Sequence, residues 1–407
     1  MCQQQKYNYL YTERTHLMCP DMHFGILAKL EKPFQEQKLS RSIDALQYAH
    51  PFLQSVIGTE VCTEKLYYQQ KEALQIPVTV MGAKEEPWWS EAFAQISRRG
   101  WDVRREALLK VYVCPGEEKF DILMIAHHLL CDGRGLLQLM KEFAECYVRG
   151  ICPDRVEERL IQSMDDLPAG SGLPFFSRLI VTDANKRWAK ERGRVSYDTY
   201  AAFERAYGEN HPVSRSIRKV EETEFVSIHK KCSEQGVSVN DYLIAQMMLE
   251  EEVGKVVIAA DIRDQLSCYR NGAMGNYATA FSVRVRKKQR DLWALAVQVR
   301  DEVKRIRKQP QKEMLVLSCF AQMDPELLEA AAIAALGAFQ SKAARFVGDQ
   351  MFGYGSQDGY SITNLGKLES DVIESAAFIP PASPANRKTQ GVLTVNGKMN
   401  ICVSSRL

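Results

Sequence analysis

The 407-residue chain contains no Cys-x-x-C pair, and its cysteines, an odd 11 scattered from Cys2 to Cys402, cannot make a complete disulfide framework. A reducing cytoplasm is the expected compartment. No run approaches the ~20 apolar residues needed to span a bilayer, and the stretch from Met1 to Asn8 lacks the apolar core of a signal peptide. A soluble protein without a transmembrane segment is expected. The most apolar segment, Ala330 to Phe339, is too short to cross and reads as a buried, Ala-rich helix. An excess of one charge is also missing: 53 Lys and Arg stand against 51 Asp and Glu. Such a balance gives no long-range pull toward nucleic acid or a membrane surface, so a neutral or mixed-charge small molecule is the expected ligand. One local basic run, Arg284, Arg286, Lys287, Lys288 and Arg290, follows an expected strand and reads as a solvated edge.

What is present is ordinary globular composition, 45% hydrophobic and 26% charged. The length exceeds one typical domain of about 100–200 residues and favours two units. His23 to Leu30 alternates as a strand, and Gln37 to Val56 carries Leu39, Ile43, Leu46 and Leu53 at helical spacing. Pro51 stops that helix near His50, whose role reads as structural. Leu108–Val113 and Phe120–Ala126 are expected strands joined by a turn at Pro115-Gly116, and the second is apolar nearly throughout, as in the middle of a sheet. Leu136 to Tyr147 is expected as a helix packed by one face.

Prolines and glycines then weaken the pattern, and the chain from Gly150 to Val220 reads as an inter-domain connection. A second half is expected to open with a strand at Glu222–Val226 and a helix at Ser227–Gln235. It continues with a helix at Tyr242–Glu251, strands at Val256–Ala260 and Tyr277–Arg286, and a helix at Leu292–Arg307. Strands at Ser361–Leu365, Gly391–Val395 and Met399–Val403 complete the pattern. Both halves mix strands and helices in similar proportion, which suits a pseudo-twofold α/β arrangement.

The chemistry concentrates at the strand-to-helix junction His127-His128-Leu129-Leu130-Cys131-Asp132-Gly133. A neutral imidazole can accept a proton at neutral pH. Neighbours on an extended segment point oppositely, so one histidine of the pair faces a given side, and that face is assigned to His128. Asp132 either orients the ring or binds a basic residue from elsewhere and fixes the loop; Gly133 allows a tight turn beside a ligand. Metal binding by the two histidines is disfavoured because they diverge and no third ligand is placed by spacing. Cys131 reads as a small apolar filler rather than a nucleophile, and Trp88-Trp89 as a partly buried pair. Asn276 and Asn364 suit either hydrogen bonding to substrate or oxyanion, or turn chemistry beside glycine. Ser361 and Thr363 are strand-face hydroxyls that can also donate to a tetrahedral intermediate.

The stretch resembles the His-His-x-x-x-Asp-Gly signature of the chloramphenicol acetyltransferase-like superfamily, which includes condensation domains, BAHD acyltransferases and alcohol acetyltransferases. Ala45-Leu46 with His50-Pro51-Phe52-Leu53, then Asp261-Ile262-Arg263, Gly275-Asn276-Tyr277 and Thr363-Asn364-Leu365-Gly366 resemble further signatures in the same order. The resemblance implies an α/β fold of two chloramphenicol acetyltransferase-like lobes, mixed sheets with flanking helices, in a pseudo-dimeric V-shaped arrangement. The expected divisions are an N-terminal lobe at 1–165 carrying the motif, a connecting region at 166–220 and a C-terminal lobe at 221–407.

By the same resemblance His128 is the catalytic base, Asp132 pairs with Arg263 across the lobes, and His127 and Gly133 are structural. The donor is an acyl-coenzyme A or phosphopantetheinyl thioester, with no permanently bound cofactor. The acceptor is a small molecule with a hydroxyl or amine, an acyl or peptidyl carrier protein is an admissible partner, and a stand-alone monomer is expected. The BAHD pattern near the C-terminus is not met: Met351-Phe352-Gly353-Tyr354-Gly355 lacks its aspartate and precedes Thr363. Arg134-Gly135 is closer to the alcohol acetyltransferases, which favours ester over amide formation. The competing reading is a catalytically inactive, condensation-like protein that binds acyl carriers or partner proteins.

Overall fold

The computed structural model describes residues 8–82, 87–191, 193–285 and 289–406. Residues 1–7, and Arg286, Lys287 and Lys288 of the expected basic edge, lie outside them; Arg284 and Arg290 are exposed. Among the described residues no helix is long and apolar enough to cross a membrane, and the ten cysteines are free.

The strand Phe120–His127 is apolar on both faces because it is central: His23–Leu30 pairs antiparallel on one side and Leu109–Pro115 on the other. Val78–Val80 extends this sheet in parallel beyond Leu109–Pro115. The opposite edge is Ile373–Ile379, more than two hundred residues away in the chain, paired antiparallel with His23–Leu30. No sequence signal announced that strand. It ties the C-terminal third of the chain into the first sheet.

The second sheet has six strands in the spatial order Val213–Val220, Lys398–Arg406, Asn386–Val395, Gly359–Leu368, Lys255–Asp261 and Ala278–Arg284. Its three middle strands from Asn386–Val395 to Lys255–Asp261 run parallel, and the outer pairings are antiparallel. Helices flank both sheets, and each sheet has its own hydrophobic core.

Strongly periodic elements fall where the sequence placed them. The first helix expected from the sequence is Glu36–Ala49, followed by a single 3₁₀ turn from Pro51, because Pro51 cannot continue the ladder. Leu292–Arg307 matches its expected bounds. Two expectations are corrected. Glu222–Val226 is not a strand but the start of the helix Glu222–Glu234, whose first turn gathers acidic residues at the positive end of the helix dipole. The stretch 166–220 is not a plain connection: it holds the helices Phe175–Glu191 and Tyr197–Asn210 and the edge strand Val213–Val220. The first of these helices exposes Phe175, Phe176 and Leu179, so its apolar residues do not form the stripe by which a helix is read.

Candidate functional site

At the end of the central strand the chain turns. His127 is the last strand residue, paired opposite His23, and its ring packs edge-on against Trp101 in the core. Its Nδ1 accepts from the Leu129 N–H at 3.2 Å, so its role is to shape the turn. Burial, then repulsion from His23 and His128, holds its pKa well below the usual value.

His128 faces the other way. Its N–H donates to the Met22 carbonyl at 2.8 Å, and its ring is clamped between His16, stacked at 4.3 Å and 16°, and Phe24, tilted at 4.9 Å. The amide nitrogen of Asn276 donates to the His128 carbonyl at 2.8 Å, which turns its Oδ1 toward His128 Nδ1 at 3.0 Å. A carbonyl accepts only from the NH₂ end, so the amide orientation is fixed and Nδ1 must carry the proton. Nε2 is thereby left as the bare, basic nitrogen. Burial lowers the His128 pKa, an effect that nearby Asp132 and the bonds to the ring only partly offset.

Asp132 caps the helix Gly133–Arg149, its Oδ1 accepting from the Gly135 N–H at 2.9 Å. The same oxygen takes Arg263 Nη2 at 2.7 Å, and Oδ2 takes the Tyr277 N–H at 2.8 Å. Burial alone would raise the carboxyl's pKa; the Arg263 charge and these bonds outweigh it and hold the group ionised. Arg263 also bonds Asp261 at 3.0 Å, and its guanidinium lies 5.6 and 5.3 Å from the ring centres of Tyr269 and Tyr277. Asp132 therefore does not touch the imidazole; it locks the motif loop to a segment more than a hundred residues away. Gly133 is required by close approach: a Cβ there would lie 2.8 Å from Leu365 and 3.2 Å from the Phe378 ring.

A cavity of about 910 Å³ opens here, lined by residues from both halves of the chain. His128, Asp132, Arg263, Asn276, Thr363 and Asn364 all contribute to its wall. Ser361 does not; its hydroxyl sits in a buried cluster with Thr389 at 3.0 Å and Asn386 at 2.9 Å, which removes it from the expected substrate contacts. Asn276 is also redirected, since both ends of its amide serve His128. Asn364 Oδ1 accepts from the Gly366 N–H at 2.9 Å, leaving its NH₂ as the end able to meet a ligand. Burial and the Asp132 charge push the Cys131 thiol up, so it stays protonated in the core.

His50 does not line the cavity. It bridges Glu142 at 2.7 Å and Glu158 at 3.2 Å, and although burial lowers its pKa, the two carboxylates raise it to about 9. Met351 to Gly355, the segment that departs from the BAHD pattern, packs through Phe352 and Tyr354 against Cys19, Met22, Ala332 and Ala335.

Two cavity residues were not legible in the sequence. Glu13 and His16 come from the four-residue helix Arg14–Leu17 and its cap, too short to show any period. Burial raises Glu13 to about 7 and lowers His16 well below its usual value. Glu13 Oε1 and His16 Nδ1 are buried without a hydrogen-bond partner among the described residues.

No family profile matches the chain, and no curated sequence matches it. Solved structures do. A trichothecene 15-O-acetyltransferase from Fusarium sporotrichioides superposes with a TM-score of 0.63 at 11% identity, covering 97% of this chain and 89% of that one. The condensation domain from the Monacolin K polyketide synthase MokA gives 0.58 at 12% identity, over 98% and 92%. The epimerization domain from the third module of tyrocidine synthetase B gives 0.53 at 15% identity, over 97% and 88%. Over nearly its whole length the chain has the two-lobed fold of chloramphenicol acetyltransferase-like condensation domains and acyltransferases, and at these identities the likeness is one of fold.

Proposed function

We propose that this protein is an acyltransferase that moves an acyl group from a thioester donor, an acyl-coenzyme A or acyl-carrier protein, to a hydroxyl or amine acceptor. The observation that carries the reading is the Asn276 amide, which fixes the His128 tautomer and leaves Nε2 as a bare base on a cavity wall. Nε2 accepts the proton of the acceptor as its oxygen or nitrogen attacks the thioester carbonyl. The tetrahedral oxyanion is met by the Asn364 NH₂ and the Thr363 hydroxyl, which line the same cavity. On collapse the C–S bond breaks, and the imidazolium returns its proton to the departing thiolate. No acyl-enzyme intermediate is needed, in keeping with a buried, protonated Cys131.

A hydroxyl acceptor is preferred. A base held below the ordinary histidine value is poorly matched to an alkylammonium, whereas a hydroxyl loses its proton in concert with attack. Incubation with a panel of acyl thioesters and alcohol or amine acceptors, with products identified by mass spectrometry, tests the assignment. Ester products cleaved by hydroxylamine support O-acyl transfer; stable amides would revise the acceptor, and no acylated product with any pair would overturn the proposal.

A further inference from the structure

The helix Gly133–Arg149, which starts at the Asp132 cap of the motif, runs out through Cys146-Tyr147-Val148-Arg149-Gly150-Ile151-Cys152. Gly150 takes a left-handed backbone, φ +73°, that L side chains rarely adopt, and turns the chain back on the helix. Its N–H donates to the Cys146 carbonyl at 2.9 Å, and the Ile151 N–H donates to the Glu145 carbonyl at 3.4 Å. Pro153 follows and keeps the helix from resuming. The reversal lays Cys152 against the last turn, with its Sγ 2.7 Å from Cys146 Sγ. Unbonded heavy atoms pack at about 3.5–4.0 Å, so the backbone presses these two thiols together. They are not alike. Cys146 is buried beside Ser42 of the helix Glu36–Ala49, whereas Cys152 is exposed. Burial, then the bond to Cys152, pushes the Cys146 thiol up to about 11.

The segment after Cys152 links the two halves of the chain. Residues 151–162 form neither helix nor strand and are held by single contacts. Glu158 accepts from the Phe52 N–H at 2.9 Å and meets His50 at 3.2 Å, and the Arg159 carbonyl accepts from the Tyr277 hydroxyl at 2.8 Å. Tyr277 in turn donates its N–H to Asp132. The segment therefore runs from the end of the motif helix to a residue that holds the aspartate at its start.

We propose that Cys146 and Cys152 are a reversible redox site, which oxidised glutathione, a small-molecule disulfide, converts to a protein disulfide that clamps this segment to the helix. The Cys152 thiolate, reached from solvent, attacks one sulfur of oxidised glutathione and expels one glutathione thiolate. Cys146 then gives up its proton and attacks Cys152 Sγ, expelling the second. The two protein thiols lose two electrons and two protons, and one oxidised glutathione becomes two reduced molecules. Excess reduced glutathione runs the steps backward. Neither step uses His128 or the cavity, so the site stands whether or not the protein transfers acyl groups.

The test incubates native protein with oxidised and reduced glutathione at set ratios, blocks the remaining thiols by alkylation and digests with trypsin. Cleavage after Lys141, Arg149 and Arg155 puts the two cysteines on separate peptides, 142–149 and 150–155, so the disulfide is read by mass spectrometry as that pair linked. The linked pair is expected to form in the folded protein and to disappear with excess reduced glutathione. The linked protein should melt ~2–4 °C above the reduced one. Cys146→Ser should trap glutathione on Cys152, and Cys152→Ser should melt alike with and without the oxidant.

Glutathione held on wild-type Cys152 with no linked pair would overturn the proposal, as would a linked pair that forms only after denaturation. A linked protein that melts no higher than the reduced one would overturn the clamp.

Discussion

Asn276 grips His128 at both ends: it donates to the backbone carbonyl at 2.8 Å and accepts from ring Nδ1 at 3.0 Å. Asn276 belongs to a loop in the second half of the chain and His128 follows a strand in the first, so the ring orientation that the proposed base requires holds only when the two segments are in register. Asn276→Ala should lower kcat by ~10- to 100-fold while leaving donor KM nearly unchanged, because orientation is lost but the cavity wall persists. A change confined to KM would contradict the positioning role.

The same pair sets the pH profile. His128 lies below the usual histidine value because burial disfavours its charged form, so the acidic limb of kcat/KM should have its midpoint below pH 6.5, with a plateau at neutrality. Asn276→Asp keeps the acceptor at Nδ1 but adds a negative charge that stabilises the imidazolium. Its limb should move to higher pH, and an unmoved limb would show that His128 is not the titrating group.

Asp132 and Arg263 are both buried, with side chains 5% and 11% exposed, so breaking the pair leaves a charge without water. Asp132→Asn is expected to cost on the order of 3 kcal/mol of unfolding free energy and to slow turnover as well. Chemical denaturation measures the first effect and initial rates the second. A purely kinetic loss would mean that Asp132 does not tie the two halves together.

Gly133→Ala tests the close approach of the motif to Leu365 and Phe378. A Cβ placed 2.8 Å from Leu365 and 3.2 Å from a buried ring forces one of them to move, at a cost of about 1–3 kcal/mol. All three residues line the cavity, so acceptor KM should rise together with the fall in thermal midpoint.

Glu13 gives a pH-dependent signature of its own. Its folded-state carboxyl is raised by burial to about 7 from an ordinary 4.5, so the native state favours the protonated form. Ionisation therefore costs stability progressively as pH rises from about 4.5 to about 7, reaching on the order of 3 kcal/mol above that window. Glu13→Gln cannot ionise. Its stability relative to wild type should increase across the same window and then level off, as read from denaturation midpoints at several pH values. A difference independent of pH would show that the Glu13 carboxyl ionises in the folded protein as it does in the unfolded chain.

The sequence carried the first sheet's centre and the motif because both rest on local rules. Phe120–Ala126 is too apolar for an exposed strand, and His128 and Asp132 flank a turn whose spacing is itself the signal. Asp132 with Arg263 was expected through the family resemblance, and the 2.7 Å contact has that geometry. What escaped was set by tertiary packing. Ile373–Ile379 joins a sheet whose other strands lie far away in the chain, Glu13 and His16 sit on a single helical turn, and the helix Phe175–Glu191 hides its period by exposing apolar residues. Asn276 was legible as a polar residue beside glycine, but only the fold shows that its amide is spent on the histidine. Leu292–Arg307 was read as a helix, and no local pattern could say that Arg300, Lys304 and Arg307 line a cavity.

The most direct test of His128 as the base is thiol release. Wild-type protein and His128→Ala are mixed with an acyl thioester, with and without an alcohol acceptor, and free thiol is followed over time. Acceptor-dependent release by the wild type that falls by ~10²- to 10⁴-fold in the variant, with its thermal midpoint preserved, is the predicted result. Equal acceptor-dependent rates in the two proteins would contradict the account.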